Sequence, residues 1–478
     1  MNEKSAFRMT GTKLGAIALP KNRQGQGYPA PAFLAPLLRV MTNYSHQKAP
    51  GLNQLEPGRD PGEDRQRVLG GGLLQSGLSA PPACVRCGAC MTVCPLYRAT
   101  GREGAVARGK LNLWDLFRAG RLTSPSALWE FLEFCLLCGA CTDKCAVGLS
   151  VPELIKAARA EINGQIGSAF RPAWLLARLA WQAPDLIPRL APFALLLNRL
   201  KDWVGGDSGL AYRLWPGLSL ALQCFPNLQR TPFRWQAPSY LAGRGPLRLA
   251  FFTGCGTEAL FPQVGLAFLR ICEKLEIEVL IPPEQGCCGL LAESAGEKEL
   301  SRQQARALVR TFSGLAVDLV VTACASCSYR LKRLGLVLAR EPEAKAARRL
   351  AGMTREASEF LVREAAYRPA PLIRPEGVVY HDPCHLHRGQ GISAEPRKLL
   401  QAATGETFFE AAGVDCCGLG GVFGVTSPQI SRELGRARLA AYEATGAGVL
   451  ATSCSGCLVQ LTRLADNQKV VHLLELLG

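Results

Sequence analysis

Cysteines carry the most specific chemistry in this chain of 478 residues. Eighteen of its 20 cysteines fall into four sets, and the sets come as two matched pairs. The first pair repeats the spacing C-x2-C-x2-C-x3-C. Its members are Cys84, Cys87, Cys90 and Cys94 in the first motif, and Cys135, Cys138, Cys141 and Cys145 in the second. Thiolates at this density and spacing are ligands for iron–sulfur clusters, so the chain is predicted to move electrons.

The spacing also predicts which cysteines share a cluster. Three cysteines two residues apart wrap one loop around a cluster, and the fourth ligates the other cluster. We therefore predict two [4Fe-4S] clusters with crossed ligation. The cluster I set is Cys84, Cys87, Cys90 and Cys145, and the cluster II set is Cys135, Cys138, Cys141 and Cys94. Zinc is disfavoured, because its tetrahedral sites usually pair two C-x2-C elements a dozen or more residues apart.

The second pair of sets lies further along the chain, and each set contains a Cys-Cys-Gly step and a C-x2-C element. The first CCG set is Cys255, Cys287, Cys288, Cys324 and Cys327, and the second CCG set is Cys384, Cys416, Cys417, Cys454 and Cys457. Five thiolates are one more than a single cubane or a zinc ion needs. Adjacent cysteines could contact two metals of an opened cluster. Each set is predicted to hold a further iron–sulfur cluster, with zinc and a redox-active disulfide as the alternatives.

Two other patterns near these cysteines are weaker. His381, His385 and His387 surround Cys384, and one of them could supply a proton or a hydrogen bond to sulfur. Ordinary loop histidines are the favoured interpretation. The run 254–259 matches the dinucleotide fingerprint G-x-G-x-x-A after a strand. The equivalent turn at 381–384 keeps the cysteine and lacks the glycines, so we expect neither a dinucleotide nor a flavin in this chain.

Helices and strands must bring these cysteines together. Around the first pair, helices are predicted over 111–119, 125–134 and 151–162. Residues 246–478 form an internal repeat in which strands alternate with helices, as in parallel α/β units. The predicted strands are 247–253, 277–281, 317–322, 377–381, 406–410 and 448–452. The cysteines follow these strands, which places them at the carboxyl edge of a parallel sheet.

The chain is too long for one hydrophobic core, so several domains are expected. We predict a multidomain α+β protein, in which a helical two-cluster ferredoxin-like domain precedes two tandem α/β CCG domains. The predicted bounds are a disordered extension at 1–70, the ferredoxin-type domain at 71–165, a helical linker at 166–245, the first CCG domain at 246–365 and the second at 366–478. Cys224 and Cys272 stand outside the four sets and are predicted to be buried thiols.

Charge and hydropathy indicate which kinds of partner and which cellular compartment to expect. The formal charge is +16, but a cubane with four thiolates carries about −2, so bound clusters cancel much of this excess. Nucleic-acid binding is therefore not expected. No apolar run reaches the ~18 residues that span a bilayer, and no secretory signal stands out. We expect a cytoplasmic protein, with peripheral attachment to a membrane through a partner as an option.

Together these motifs resemble the iron–sulfur subunit of glycolate oxidase. The resemblance covers residues from about 80 to 478, and it includes the run Ala-Arg-Gly-Lys at 107–110 and the ending at 471–477. The CCG units are similar to those of the CCG-containing subunit of heterodisulfide reductase, in which a complete motif can hold a noncubane [4Fe-4S] cluster. Some glycolate oxidase subunits have incomplete C-x2-C elements, whereas both elements are complete here.

The resemblance implies a division of labour. A separate FAD subunit oxidises glycolate, and this chain relays the electrons toward a membrane quinone. It would then be the non-flavin subunit of a glycolate dehydrogenase or oxidase, inactive alone and without catalytic residues of its own. The small subunit of anaerobic glycerol-3-phosphate dehydrogenase, a lactate-oxidising protein and a heterodisulfide-reductase-like subunit share this plan. A stand-alone electron carrier is the non-enzyme alternative.

Overall fold

The computed structural model describes residues 84–166, 231–372, 376–413, 415–466 and 468–478. The predictions for the extension at 1–70, for most of the linker at 166–245 and for Cys224 lie outside these residues. No helix in the described part is long and apolar enough to cross a membrane.

Residues 84–166 contain helices that connect the two tight motifs. They are α1 (Ala89–Val93), α2 (Pro95–Thr100), α3 (Ala107–Arg118), α4 (Pro125–Glu133), α5 (Ala140–Asp143) and α6 (Val151–Ile166). Prolines Pro95 and Pro125 begin α2 and α4, where a missing N–H costs nothing. The Ser124 hydroxyl accepts from the Ala127 amide at 3.3 Å and caps α4. The three predicted helices are therefore present, although α3 begins earlier and α6 ends later than expected.

The first CCG unit is built on a sheet of five strands. They are β1 (Tyr240–Leu241), β2 (Arg248–Phe251), β3 (Glu278–Leu280), β4 (Leu319–Thr322) and β5 (Thr354–Glu356). Their order is β1-β3-β2-β4-β5, and only β1 runs antiparallel to its neighbour. The helices of this unit are α7 (Phe233–Gln236), α8 (Gly254–Ala259), α9 (Pro262–Lys274), α10 (Leu290–Ser294), α11 (Lys298–Ser313), α12 (Ala325–Leu331), α13 (Leu334–Val337), α14 (Ala344–Met353) and α15 (Ala357–Arg363). The sheet thus begins at Tyr240, before the predicted bound at 246.

The second CCG unit repeats this plan with four parallel strands. They are β6 (Val378–His381), β7 (Phe408–Phe409), β8 (Val449–Thr452) and β9 (Lys469–His472), in the order β7-β6-β8-β9. Its helices are α16 (Cys384–Gln390), α17 (Ala394–Thr404), α18 (Phe423–Thr426), α19 (Pro428–Glu443), α20 (Ser455–Leu464) and α21 (Leu473–Leu477). This order matches β3-β2-β4-β5, so the internal repeat predicted from the cysteines is present in the sheet topology.

The sequence did not predict the last strand of either unit. β5 has three residues with the cation Arg355 at its centre, and β9 offers only two adjacent apolar residues between Lys469 and His472. A capping box ends both strands and starts the next helix. It joins Glu356 to Glu359 in the first unit and His472 to Glu475 in the second.

The two CCG units share their hydrophobic core. One buried cluster includes Phe252 and Phe312 of the first unit with Leu450 of the second. Another includes Phe251 of the first unit with Leu474 of the second. Burial of each such side chain contributes about 1.5–3 kcal/mol, so these contacts hold the units together. The expectation of two tandem α/β units is met, but the units are not separate hydrophobic bodies.

Candidate metal centres

The two tight motifs have the same backbone shape. Gly88 and Gly139 follow the second cysteine of each motif and have φ angles of +83° and +77°. Arg86 and Leu137 precede that cysteine, and both have φ of +55°. A left-handed conformation at a residue with a side chain costs on the order of 1–3 kcal/mol. Because the same strained turn occurs twice, each loop presents its three cysteines in the same way.

The cluster II set lines a single cavity. Its walls include Cys135, Cys138 and Cys141 of the second motif together with Cys94 of the first. This is the neighbourhood that crossed ligation requires of Cys94. Burial raises the pKa of the Cys138 thiol to about 12 and also raises the pKa of Cys141 and of Cys94. A metal must therefore supply the energy that deprotonates these thiols on binding.

Two buried cations lie beside the cluster II set, and the sequence analysis assigned neither of them a role there. The ammonium group of Lys110 is fully buried, lines the cavity and donates to the carbonyls of Gly104, at 2.9 Å, and Ala105. The guanidinium group of Arg159 donates to the carbonyls of Leu132, Glu133, Cys135 and Ser294. Burial lowers the pKa of Lys110 to about 8. Cations beside the thiolates of the cluster II set offset negative charge there. The signal in the sequence is that Lys110 lies between the two motifs and ends the run at 107–110 that supports the family resemblance.

The cysteines of the cluster I set lie closer to solvent. Cys87 is exposed, and Cys84, Cys90 and Cys145 are half-buried. Two valines close to these cysteines in the chain are also exposed. Val85 follows Cys84 and is 59% exposed, and Val147 comes two residues after Cys145 and is 46% exposed. The membership of Cys145 in this set remains a prediction from spacing.

Each CCG set forms a chain of sulfur contacts. In the first unit the Cys255 thiol donates to Cys287, which lowers the pKa of Cys287 and raises that of Cys255. Further contacts join Cys287 to Cys288, Cys288 to Cys327 and Cys327 to Cys324. The second unit repeats the pattern. Its contacts join Cys384 to Cys416, Cys416 to Cys417, Cys417 to Cys457 and Cys457 to Cys454. All ten cysteines predicted from the sequence therefore gather in two groups of five.

Two glycines in the first CCG unit make room for its sulfurs and for the second unit. A Cβ atom at Gly254, where φ is +64°, would lie 2.8 Å from the Cys327 Sγ. A Cβ at Gly256 would lie 2.3 Å from the Ser455 side chain. The glycines of the dinucleotide-like run therefore allow α8 to pack against the sulfurs and the second unit. Five soft sulfur ligands in a group fit an iron–sulfur cluster better than a nucleotide.

The two CCG sets touch each other. The Cys324 and Cys454 side chains are hydrogen-bonded. Beside them the Ser326 hydroxyl lies 3.2 Å from the Cys454 Sγ. The Ala325 amide donates to the Ser453 carbonyl at 2.9 Å. The C-x2-C turns of the two units thus meet at the junction between the sheets.

The second CCG set also adjoins the cluster II set. The thiol groups of Cys138 and Cys416 are near enough for the charge of Cys416 to raise the pKa of Cys138. The rings of Phe134 and Phe423 lie 5.5 Å apart and cover this junction. The four cysteine sets therefore do not lie at scattered positions. They form a series that runs from the first motif to the second motif, then to the second CCG set and finally to the first.

The three histidines near Cys384 lie in regular structure, so the loop interpretation is wrong. His381 ends β6, and His385 and His387 belong to α16. His385 stacks on Tyr329 with 4.9 Å between ring centroids, and its Nδ1 lies 2.8 Å from the Ser326 hydroxyl. Burial lowers the pKa of His381 to about 4, so its ring is neutral at physiological pH. Cys272 is fully buried in the core, as predicted.

Comparison with known proteins agrees with this geometry. The 4Fe-4S dicluster domain family matches residues 82–149, and the cysteine-rich domain family matches 249–332 and 378–462. The probable glycolate oxidase iron–sulfur subunit of Bacillus subtilis is 28% identical over 82% of this chain and 92% of its own length. Lactate utilization protein A of Bacillus licheniformis is 31% identical over 48% of this chain and 99% of its own length. The chain belongs to this family of iron–sulfur subunits.

A third relative extends over more of the chain. It is one of the subunits of the fumarate reductase (CoM/CoB) of Methanothermobacter marburgensis, and it is 24% identical over 92% of this chain and 77% of its own length. The family assignment made from the cysteine motifs is confirmed. Iron–sulfur clusters as the cofactors, and electron transfer as their task, follow from it.

Proposed function

We propose that this chain is the iron–sulfur subunit of a complex that oxidises glycolate or a related 2-hydroxy acid. In this proposal a separate FAD subunit oxidises the hydroxy acid, and this chain relays the electrons toward a quinone. The names of the relatives support glycolate and lactate as the substrates of such complexes. The pocket that selects between hydroxy acids would lie in the FAD subunit.

The contact series between the cysteine sets is the observation that carries the proposal. Cys138 of the cluster II set faces Cys416 of the second CCG set, and Cys454 of that set is hydrogen-bonded to Cys324 of the first. Groups that only stabilised the fold would not need to adjoin one another. A relay does need this, because each carrier must exchange electrons with the next.

The residues of the chain have distinct tasks in this relay. Each bound cluster would supply one-electron chemistry. The four sets of thiolates would hold the clusters, with crossed ligation by Cys94 and Cys145. Lys110 and Arg159 would offset negative charge at the cluster II set. The half-buried Phe134 and the buried Phe423 would keep water out of the junction with the second CCG set.

The finer architecture also belongs to the proposal. We assign residues 71–165 to a ferredoxin-like domain with two clusters, 166–245 to a linker, and 246–365 and 366–478 to the CCG domains, with β1 of the linker region added to the first sheet. A cytoplasmic protein held at a membrane surface by its partners would suit delivery of electrons to a quinone.

The test uses the full chain, purified without oxygen together with its FAD partner. Glycolate should reduce the flavin and then the clusters, and a quinone analogue should reoxidise them. Cys417→Ser should slow quinone reduction at least tenfold and leave flavin reduction intact, because the flavin lies in the other subunit. Cys272→Ala, a buried cysteine outside the four sets, is the matched control and should change neither rate. Loss of flavin reduction in a Cys417→Ser complex that still assembles would contradict the relay.

A second candidate function is thiol or disulfide chemistry at the first CCG set. A surface pocket there is lined by Cys255, Cys287, Arg234 and Gln285, so this set can be reached from outside. The relative from the CoM/CoB fumarate reductase also supports it by its name. Reduction of a small disulfide by the dithionite-reduced chain alone, lost in Cys255→Ser, would favour this candidate over the quinone relay.

A further inference from the structure

His381 occupies a position beside the second CCG set that a phenylalanine occupies in the first unit. It lies three residues before Cys384 at the end of β6, and its side chain is 1% exposed. The residue three before Cys255 in the first unit is Phe252, which is fully buried in the core. The repeat therefore places a ring at this position in both units, but only the second unit provides nitrogen atoms.

The imidazole lies beside two sulfurs of its own set. One ring nitrogen of His381 and the Sγ atoms of Cys417 and Cys457 all lie within 4.8 Å of one another, and all three residues are buried. Nδ1 is already engaged with the Tyr442 hydroxyl at 2.6 Å. Nε2 is buried and has no hydrogen-bond partner among the residues that the structure describes. A buried polar atom without a partner costs about 1–3 kcal/mol, so Nε2 is expected to gain a partner when the metal group is bound.

The neighbours of Tyr442 determine which nitrogen carries the proton. The Arg438 Nε donates to the Tyr442 hydroxyl oxygen at 2.7 Å. The Tyr442 proton then points to His381 Nδ1, which accepts it. In this arrangement the single proton of the neutral ring is on Nε2. The chain from Arg438 through Tyr442 to His381 therefore ends in a buried Nε2–H group that has no acceptor among the described residues.

We propose that His381 Nε2–H donates a hydrogen bond to sulfur of the metal group held by the second CCG set. The inference rests on that set binding the iron–sulfur cluster of the proposed function, and it holds for either direction of electron flow. A hydrogen bond to cluster sulfur stabilises the reduced, more negative state and raises the reduction potential. The second CCG set would therefore have a higher potential than the first, where Phe252 offers no donor.

The experiment measures the potentials of the iron-loaded full chain by spectroelectrochemical titration followed by electron paramagnetic resonance. His381→Phe, which installs the side chain of the first unit, should lower the potential of the second CCG cluster and leave the other clusters unchanged. His381→Gln keeps an N–H donor and should restore most of the loss. His472→Asn is the control, because His472 is equally buried but bonds the Ala323 carbonyl. It should leave the potential of the second CCG cluster unchanged.

A second measurement does not depend on the variants folding. Wild-type protein with 15N-labelled histidine should show a weak nitrogen coupling to the second CCG cluster and an exchangeable proton close to it. A strong coupling typical of directly bound imidazole would overturn the donor role, as would the absence of any coupling or of iron at this set. Equal potentials in His381→Phe and wild type would also overturn it. Of these outcomes only the absence of iron at this set also bears on the proposed relay, and the others overturn the donor role alone. Electron transfer with the FAD partner is measured separately, so the two failures are distinguishable.

Discussion

The first tight motif has Val85 and Arg86 between its first two cysteines, and the second has Leu136 and Leu137 at the same positions. Their backbones match, with the same left-handed turn. Val85 is 59% exposed, whereas Leu136 and Leu137 are buried, and Leu136 packs against the second CCG unit. One loop geometry thus serves two surroundings. The chain around the loop, rather than the loop itself, makes one motif face solvent and the other face the CCG units.

The largest effect should come from removing the cysteine that each motif contributes to the cluster of the other. Cys94→Ala should remove the cluster held by Cys135, Cys138 and Cys141, with a loss of about 4 iron per chain. Thermal stability should fall with it, because cluster-binding energy is folding energy. The paired variant Cys145→Ala should instead remove the cluster of the first motif. Iron analysis and electron paramagnetic resonance distinguish the two. If Cys94→Ala spared the second motif and emptied its own, crossed ligation would be wrong.

The next prediction compares the ion pairs beside the two motifs. Lys156 of α6 is buried and pairs with Glu153 at 2.7 Å and Glu293 at 2.9 Å. Lys156→Met should cost about 3 kcal/mol, the low end for breaking a buried pair, because Arg330 still pairs with Glu293. Arg98 pairs with Asp415 at the surface, and Arg98→Ala should cost about 0–1 kcal/mol. Thermal unfolding without oxygen measures the loss of stability in both variants. Equal losses would contradict the difference between the buried and the exposed ion pair.

The sequence was sufficient for the cysteine sets, the repeat and most helices, since metal ligands have fixed spacing and long helices have a clear period. It assigned no role to Lys110 or Arg159, and it offered His381 only as one of three histidines that could bond sulfur, with an ordinary loop residue favoured. Their importance depends on burial beside sulfur, which arises only when distant segments pack. Short strands such as β5 were missed for a related reason, because they form by pairing with β4 rather than by their own propensity.

A smaller effect should appear in the potentials of the two ferredoxin-type clusters. Lys110→Met removes a buried cation beside the cluster II set, which should lower that potential on the order of 50–100 mV at an effective dielectric constant of about 20. Arg108 lies near Cys84 and Cys90 but is paired with Glu103 and partly exposed. Arg108→Met should shift the cluster I potential much less, because solvent screens it. A redox titration in which Arg108→Met had the larger shift would reverse the comparison.

The smallest expected effect concerns the exposed valines. If the cluster I side docks a redox partner, Val85→Asp should weaken that contact a few-fold in titrations of electron transfer with the FAD subunit or with the quinone acceptor. Phe409→Asp is the control, since Phe409 is also exposed but lies on the edge strand β7. An unchanged titration for Val85→Asp with both partners would place docking elsewhere.

Gly420 allows the cluster II set and the second CCG set to lie close together. It has φ of +55°, and a Cβ atom there would lie 2.9 Å from the Leu136 Cα and 3.0 Å from the Phe423 Cβ. Leu136 follows Cys135, and Gly420 comes three residues after Cys417. The absent side chain therefore lets the two backbones touch. Tunnelling probability decays exponentially with distance and faster through gaps than through bonded atoms. A methyl group at this glycine would push the two segments apart, so in the proposed relay the missing side chain keeps the gap between the cluster II set and the second CCG set narrow.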